Sequence, residues 1–197
     1  EVHRADHVGA DHAHAGFVAD LGQFVLQRDV LRLAGLGEAG GIQDAAANAV
    51  GNASIGSAKS SQTMSAAVDG LFDAVSAAQA AAGLVEYRCI YLHNANGADT
   101  MTNARAWISQ QTPLAGTVLA IGVGAAAVNA TETAIANEAT APAGVTFSEP
   151  ANAAAGLALG NLPAGQHRAL WLRRTVTAGA LATTNDDFVL SFDCETT

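Results

Sequence analysis

The spacing of apolar positions changes along this chain, and the changes divide it into three parts. From residue 84 to residue 197 apolar and polar residues alternate in short runs broken by turn chemistry. The runs cover residues 85–92, 104–109, 117–124, 133–136, 145–147, 157–159, 167–176 and 188–192. In the last of them Phe188, Leu190 and Phe192 share one face, while Val189, Ser191 and Asp193 share the other. That period of two is what a half-buried antiparallel strand requires. Asn94-Ala95-Asn96-Gly97 and Asn161-Leu162-Pro163-Ala164-Gly165 mark turns between runs. About eight short strands without a long periodic segment between them predict a mainly β fold, an antiparallel β-sandwich or jelly-roll-like domain.

Residues 1–37 follow a different rule. Phe17, Val18, Leu21, Phe24, Val25, Leu31 and Leu33 recur at three- and four-residue steps, which predicts a helical arm ended by Gly35 and Gly37. Such a helix is marginal alone in water, so its apolar face is expected to dock on a partner. Residues 38–83 are rich in Gly, Ala and Ser, and are expected to form a linker that is flexible over 40–61. Within 64–82 the pattern allows a short helix, supported by the alanine run 77–82, or an extended arm inserting Leu71 and Phe72 into a neighbour.

Composition narrows the function. The net charge of −9 opposes binding to nucleic acid, whose phosphates demand cations, and to anionic membranes. The uncharged stretch 113–128 is too short and too glycine-interrupted for a membrane span, and no basic-then-apolar leader is seen. Charged residues make up 14% and aromatics 5%, so the core is expected to combine small side chains with a few large anchors. Cys89 and Cys194 are open to pairing only if the first and last strands of the domain are neighbours.

Several candidate chemistries weaken on inspection. His3, Asp6, His7, Asp11, His12 and His14 crowd the N-terminus, but their spacing matches no zinc motif. Gly35-x-Gly37-x-x-Gly40 lacks the preceding strand and the distal acid of a dinucleotide site. No Gly-x-Ser-x-Gly elbow is present, and Cys89 sits in mid-strand between Tyr87 and Tyr91, where a structural thiol is expected. The carboxylate pairs Asp186-Asp187 and Glu132/Glu138 give no sign of convergence, and no metal or cofactor is expected. Around Trp171, alternation puts Ala169 and Arg173 on one face, and Arg168, Leu172 and Arg174 on the other. Arg173 is expected to lie over the Trp171 ring or cap the sheet end, or else to join Arg168 and Arg174 in a subunit contact.

Three segments carry a family resemblance. They are Leu71-Phe72-Asp73-Ala74-Val75-Ser76 continuing to Gly83-Leu84-Val85-Glu86-Tyr87-Arg88-Cys89-Ile90-Tyr91-Leu92-His93-Asn94, then Ala141-Pro142-Ala143-Gly144-Val145-Thr146-Phe147, then residues 162–174 from Leu162-Pro163 to Arg173-Arg174. Over residues 70–193 the chain resembles structural proteins of tailed-bacteriophage virions. The resemblance implies a β-sandwich without a catalytic site, located in the virion as a head decoration or a tail or fibre part. Its partners would be other virion proteins and copies of itself in a homo-oligomer, with Phe17, Leu21, Phe24, Leu71, Phe72, Arg168, Arg173 and Arg174 as interface candidates. A carbohydrate-binding or adhesin module is the alternative; it needs exposed aromatics from among Tyr87, Tyr91, Trp107 and Trp171.

Overall fold

A computed structural model describes residues 31–34, 40–45, 54–63, 71–113, 115–181 and 186–196. Among these the fold is mainly β, in two sheets, with almost no helix. Strands β1 (Leu31–Ala34), β2 (Gly40–Ala45) and β3 (Lys59–Thr63) precede a single helix, α1 (Ala77–Ala82). Then follow β4 (Leu84–Asn94), β5 (Met101–Gln110), β6 (Thr117–Val123), β7 (Leu157–Leu162), β8 (His167–Val176) and β9 (Phe188–Thr196). One sheet has the order β1-β9-β5-β7 and the other β3-β2-β4-β8-β6. Pairings are antiparallel except between β1 and β9, which run parallel.

Both sheets contribute to one apolar core. Ile90 and Leu92 of β4, Leu119 and Ile121 of β6, and Leu170 and Leu172 of β8 meet Ala106 and Ile108 of β5 and Phe188, Leu190 and Phe192 of β9. The alternation in 188–192 therefore points its aromatic face inward, and each such buried side chain is worth about 1.5–3 kcal/mol in transfer free energy. The second face of the β4–β8–β6 sheet is also covered. Cys89, Tyr91, Ala169 and Trp171 are buried there beneath Ile135, Val145 and Phe147. A strand buried on both faces shows little outward polarity, and 88–92 of β4 is buried without a break.

The cover is the connection between β6 and β7. It is anchored by Ser148, whose N–H and C=O both bond Ile121, and by the Ile135 N–H on the Ile55 carbonyl. Gly122 permits the close approach, because a Cβ there would stand 2.5 Å from Val145 Cγ1 and 2.7 Å from the Thr146 oxygen. The expected strands at 133–136 and 145–147 are thus not strands. Their apolar residues pack downward while their backbones form isolated bridges at Glu132 and Ser148 only.

The sequence reading also needs correction before residue 84. Leu31–Ala34, expected as helix, pairs along β9, and Gly40–Ala45 and Lys59–Thr63, expected as linker, are strands of the larger sheet. Non-local pairing wins over local period in these short segments. Of the stretch 64–82, residues 64–70 lie outside the described residues, and within the rest the helix is Ala77–Ala82, where Ser76 and Gln79 form a reciprocal capping box. Residues 1–30, with Phe17, Leu21 and Phe24, lie outside the described residues.

Candidate functional site

Three groupings of chemically distinctive side chains stand out. The first is ionic and internal. On β4 Glu86 and Arg88 are in phase with Ile90 and Leu92, and on β8 Arg174 is in phase with Leu170 and Leu172. All three charged residues therefore project toward the core side, where they are at most 2% exposed. Arg174 Nη2 lies 2.9 Å from Glu86 Oε1 and donates to the Asp73 carbonyl at 2.7 Å. Arg88 donates to the Leu71 carbonyl at 3.0 Å and to Glu138 Oε2 at 2.6 Å. Phe72 supplies the floor of the cluster: its ring centroid lies 5.4 Å from the Arg88 guanidinium carbon and 4.7 Å from that of Arg174. Burial raises the Glu86 carboxyl above its ordinary pKa, against the opposing pull of Arg174 and Arg88. Buried charges held by hydrogen bonds and by each other are a structural closure for this end of the core.

The second grouping lies on the covered outer face. Tyr91 donates its hydroxyl to the Ser57 carbonyl and accepts the Glu132 N–H at 3.1 Å, tying the 54–57 segment and the cover to β4. Burial, with the neighbouring Cys89 thiol and Glu132 carboxylate, pushes Tyr91 up to about 12. Burial likewise holds the Cys89 thiol well above its ordinary value, so it is no ready nucleophile. His93 and His167 are cross-strand partners at the end of β4 and β8, and the Tyr91 ring meets His167 edge-on at 5.1 Å. Burial and the charge of Lys59 lower both histidine pKa values.

The third grouping is exposed and apolar. Val85 and Val118 flank Thr175 in register across three strands, and both are exposed. Leu181, 81% exposed, lines a depression with Ala115, Gly116 and Thr117 at the same end of the sheet. These are all the exposed large hydrophobic residues among the described residues.

Against this geometry the sequence candidates separate. Leu71 and Phe72 fill the chain's own core and Arg174 is fully buried, so none of the three is presented to a partner. Arg168 is spent on the Gly124 and Ala126 carbonyls. Arg173 stacks over Phe147, at 5.3 Å, rather than over Trp171, whose ring is fully buried among Cys89, Tyr91 and Ala169. Glu138 serves Arg88 while Glu132 accepts the Ala126 N–H, so the two carboxylates do not act as a pair. Asp186 and Asp187 are both buried just before β9. Cys89 and Cys194 are free thiols, one in each sheet. Sequence reasoning missed the pairing of His93 with His167 and the inward turn of Glu86 and Arg88. The one available signal for the latter was their phase with Ile90 and Leu92.

Among the described residues no three His, Cys, Asp or Glu side chains converge as a metal site, and no helix is long and apolar enough to cross a membrane. No family model and no curated protein matches the chain.

Proposed function

We propose that this chain is a non-catalytic structural component of a tailed-phage virion, a jelly-roll-like sandwich packed against copies of itself and other shell or tail proteins. The observation that carries the reading is the gathering of Val85, Val118 and Leu181 at one end of the larger sheet. Exposed apolar residues collected in one place mark a contact surface, whereas scattered ones carry no such meaning. The deep hydrogen-bonded closures at the two faces suit a building block, because rigid faces lose little freedom on assembly. Many copies turn a modest contact into a lasting one. Head decoration and tail or fibre placement both fit this surface.

The adhesin alternative gains less support. Tyr91 and Trp171 are buried, and Tyr87 and Trp107, each half-buried, stand on different sheets and form no common platform. Catalysis gains little as well: His93 and His167 come together, but the charged neighbour acting on both is Lys59 rather than a carboxylate.

The test is quantitative mass spectrometry of purified particles, counting this chain against the major shell protein. Hundreds of copies indicate decoration, and three to a few dozen indicate tail or neck, about the ranges that closed symmetries allow. Absence from particles refutes the virion reading and moves the adhesin reading forward.

A further inference from the structure

The Asn94 N–H bonds the Gln166 carbonyl at 2.9 Å, one residue beyond His93 and one before His167. That pattern makes His93 and His167 a non-hydrogen-bonded antiparallel pair, the position where facing side chains stand closest. The His93 ring is oriented by a backbone carbonyl, its Nε2 lying 3.2 Å from the Gly165 oxygen, and the Ala130 backbone stands beside His167. The Nδ1 atoms of both rings are shielded from solvent and meet no hydrogen-bonding partner. Each ring that donates Nε2–H to a carbonyl carries its free lone pair on Nδ1.

We propose that His93 and His167 form a two-histidine site for a borderline-soft divalent transition-metal ion such as Zn2+ or Cu2+, bound through the two Nδ1 atoms. Imidazole is the ligand such ions prefer, and a carbonyl on the opposite ring nitrogen is the usual support for a metal-bound histidine. Burial and Lys59 favour the neutral rings, the form a metal needs. An oxyanion needs donors, and a neutral ring already committed through Nε2–H offers none at Nδ1. The ion cross-links β4 to β8 beside the 124–135 cover.

Lys59 gives the test its sign, since its positive charge opposes a dication and assists an anion. The experiment uses the full chain with His3, His7, His12 and His14 replaced by Asn, so that N-terminal imidazoles do not compete. Zn2+ is titrated calorimetrically, and Cu2+ by electron paramagnetic resonance for nitrogen coupling. The expected result is one ion per chain, affinity weakened about tenfold or more by His93→Asn or by His167→Asn, and affinity strengthened by Lys59→Gln. Urea midpoints of the variants establish that they are folded, and Zn2+ should raise the melting temperature of the parent but not of the His93→Asn/His167→Asn double variant. Three results overturn the proposal: no saturable binding, binding indifferent to both histidines, or weakening by Lys59→Gln together with binding of inorganic phosphate.

Discussion

Removal of Glu86 tests the internal ionic cluster most directly. Burial outweighs the two arginines in setting the Glu86 pKa, so the ion pair as a whole is no large source of stability. The cost arises when one partner is removed and the other stays. In Glu86→Ala, Arg88 keeps Glu138 at 2.6 Å and the Leu71 carbonyl at 3.0 Å. Arg174, fully buried, loses its 2.9 Å ion pair with Glu86 and keeps backbone acceptors such as Asp73. Removing one partner of a buried ion pair costs about 3–5 kcal/mol. The cluster's outer carboxylates should matter less: the side chain of Glu138 is 27% exposed, and Asp73 is 54% exposed and 3.8 Å from Arg88. Glu138→Ala is expected to cost about 1 kcal/mol and Asp73→Ala less than that. Urea unfolding followed by tryptophan fluorescence reads all three, because the Trp171 ring is fully buried on the adjoining face of β8. The double variant Glu86→Leu/Arg174→Met should recover most of the single loss, since an apolar pair of similar volume carries no desolvation penalty. A loss below about 1 kcal/mol for Glu86→Ala, or a double variant no better than the single, refutes the assignment of this pair as a desolvated closure.

Three further outcomes follow from the same packing. Gly122→Ala should lower stability by about 1–3 kcal/mol and speed proteolysis within 125–147, because its methyl must push Val145 and Thr146 off the sheet. Tyr91, raised to about 12 in the fold, should appear as a late step in an absorbance titration at 295 nm, and Tyr91→Phe should delete it. A phenol raised above its unfolded value contributes stability that is complete below about pH 10 and is lost as pH rises through about 12. Cys89, fully buried, should resist a thiol reagent in the native protein and react only on unfolding, while the half-buried Cys194 should react sooner.

What the chain announced locally was its β character after residue 84. The runs at 85–92, 104–109, 117–124, 167–176 and 188–192 all lie on strands or reach to within a residue of a strand end, because a period of two survives in any strand with one dominant buried face. The turn at Asn94 was equally legible, since Asn94 and Asn96 cap their own backbone two residues on. Phase was legible too: Arg174 was placed with Leu172, and Phe188 with Phe192. Which phase faces inward was decided only by the fold. A β strand has two equivalent sides until another layer covers one, and here β4 and β8 are covered on both. That double cover turns Glu86, Arg88 and Arg174 into interior charges and makes a partner for Arg173 of Phe147 instead of Trp171. The short strands at 31–34, 40–45 and 59–63 were invisible for a related reason. The partners of 31–34 and 40–45 lie far away in sequence, on β9 and β4, and 59–63 pairs in turn with β2. Leu31 and Leu33 also fit a helical stripe, while small or polar residues in the other two left no period for local reading to find. The proximity of His93 to His167, 74 residues apart in the numbering, is likewise a property of register, which only the paired backbones determine.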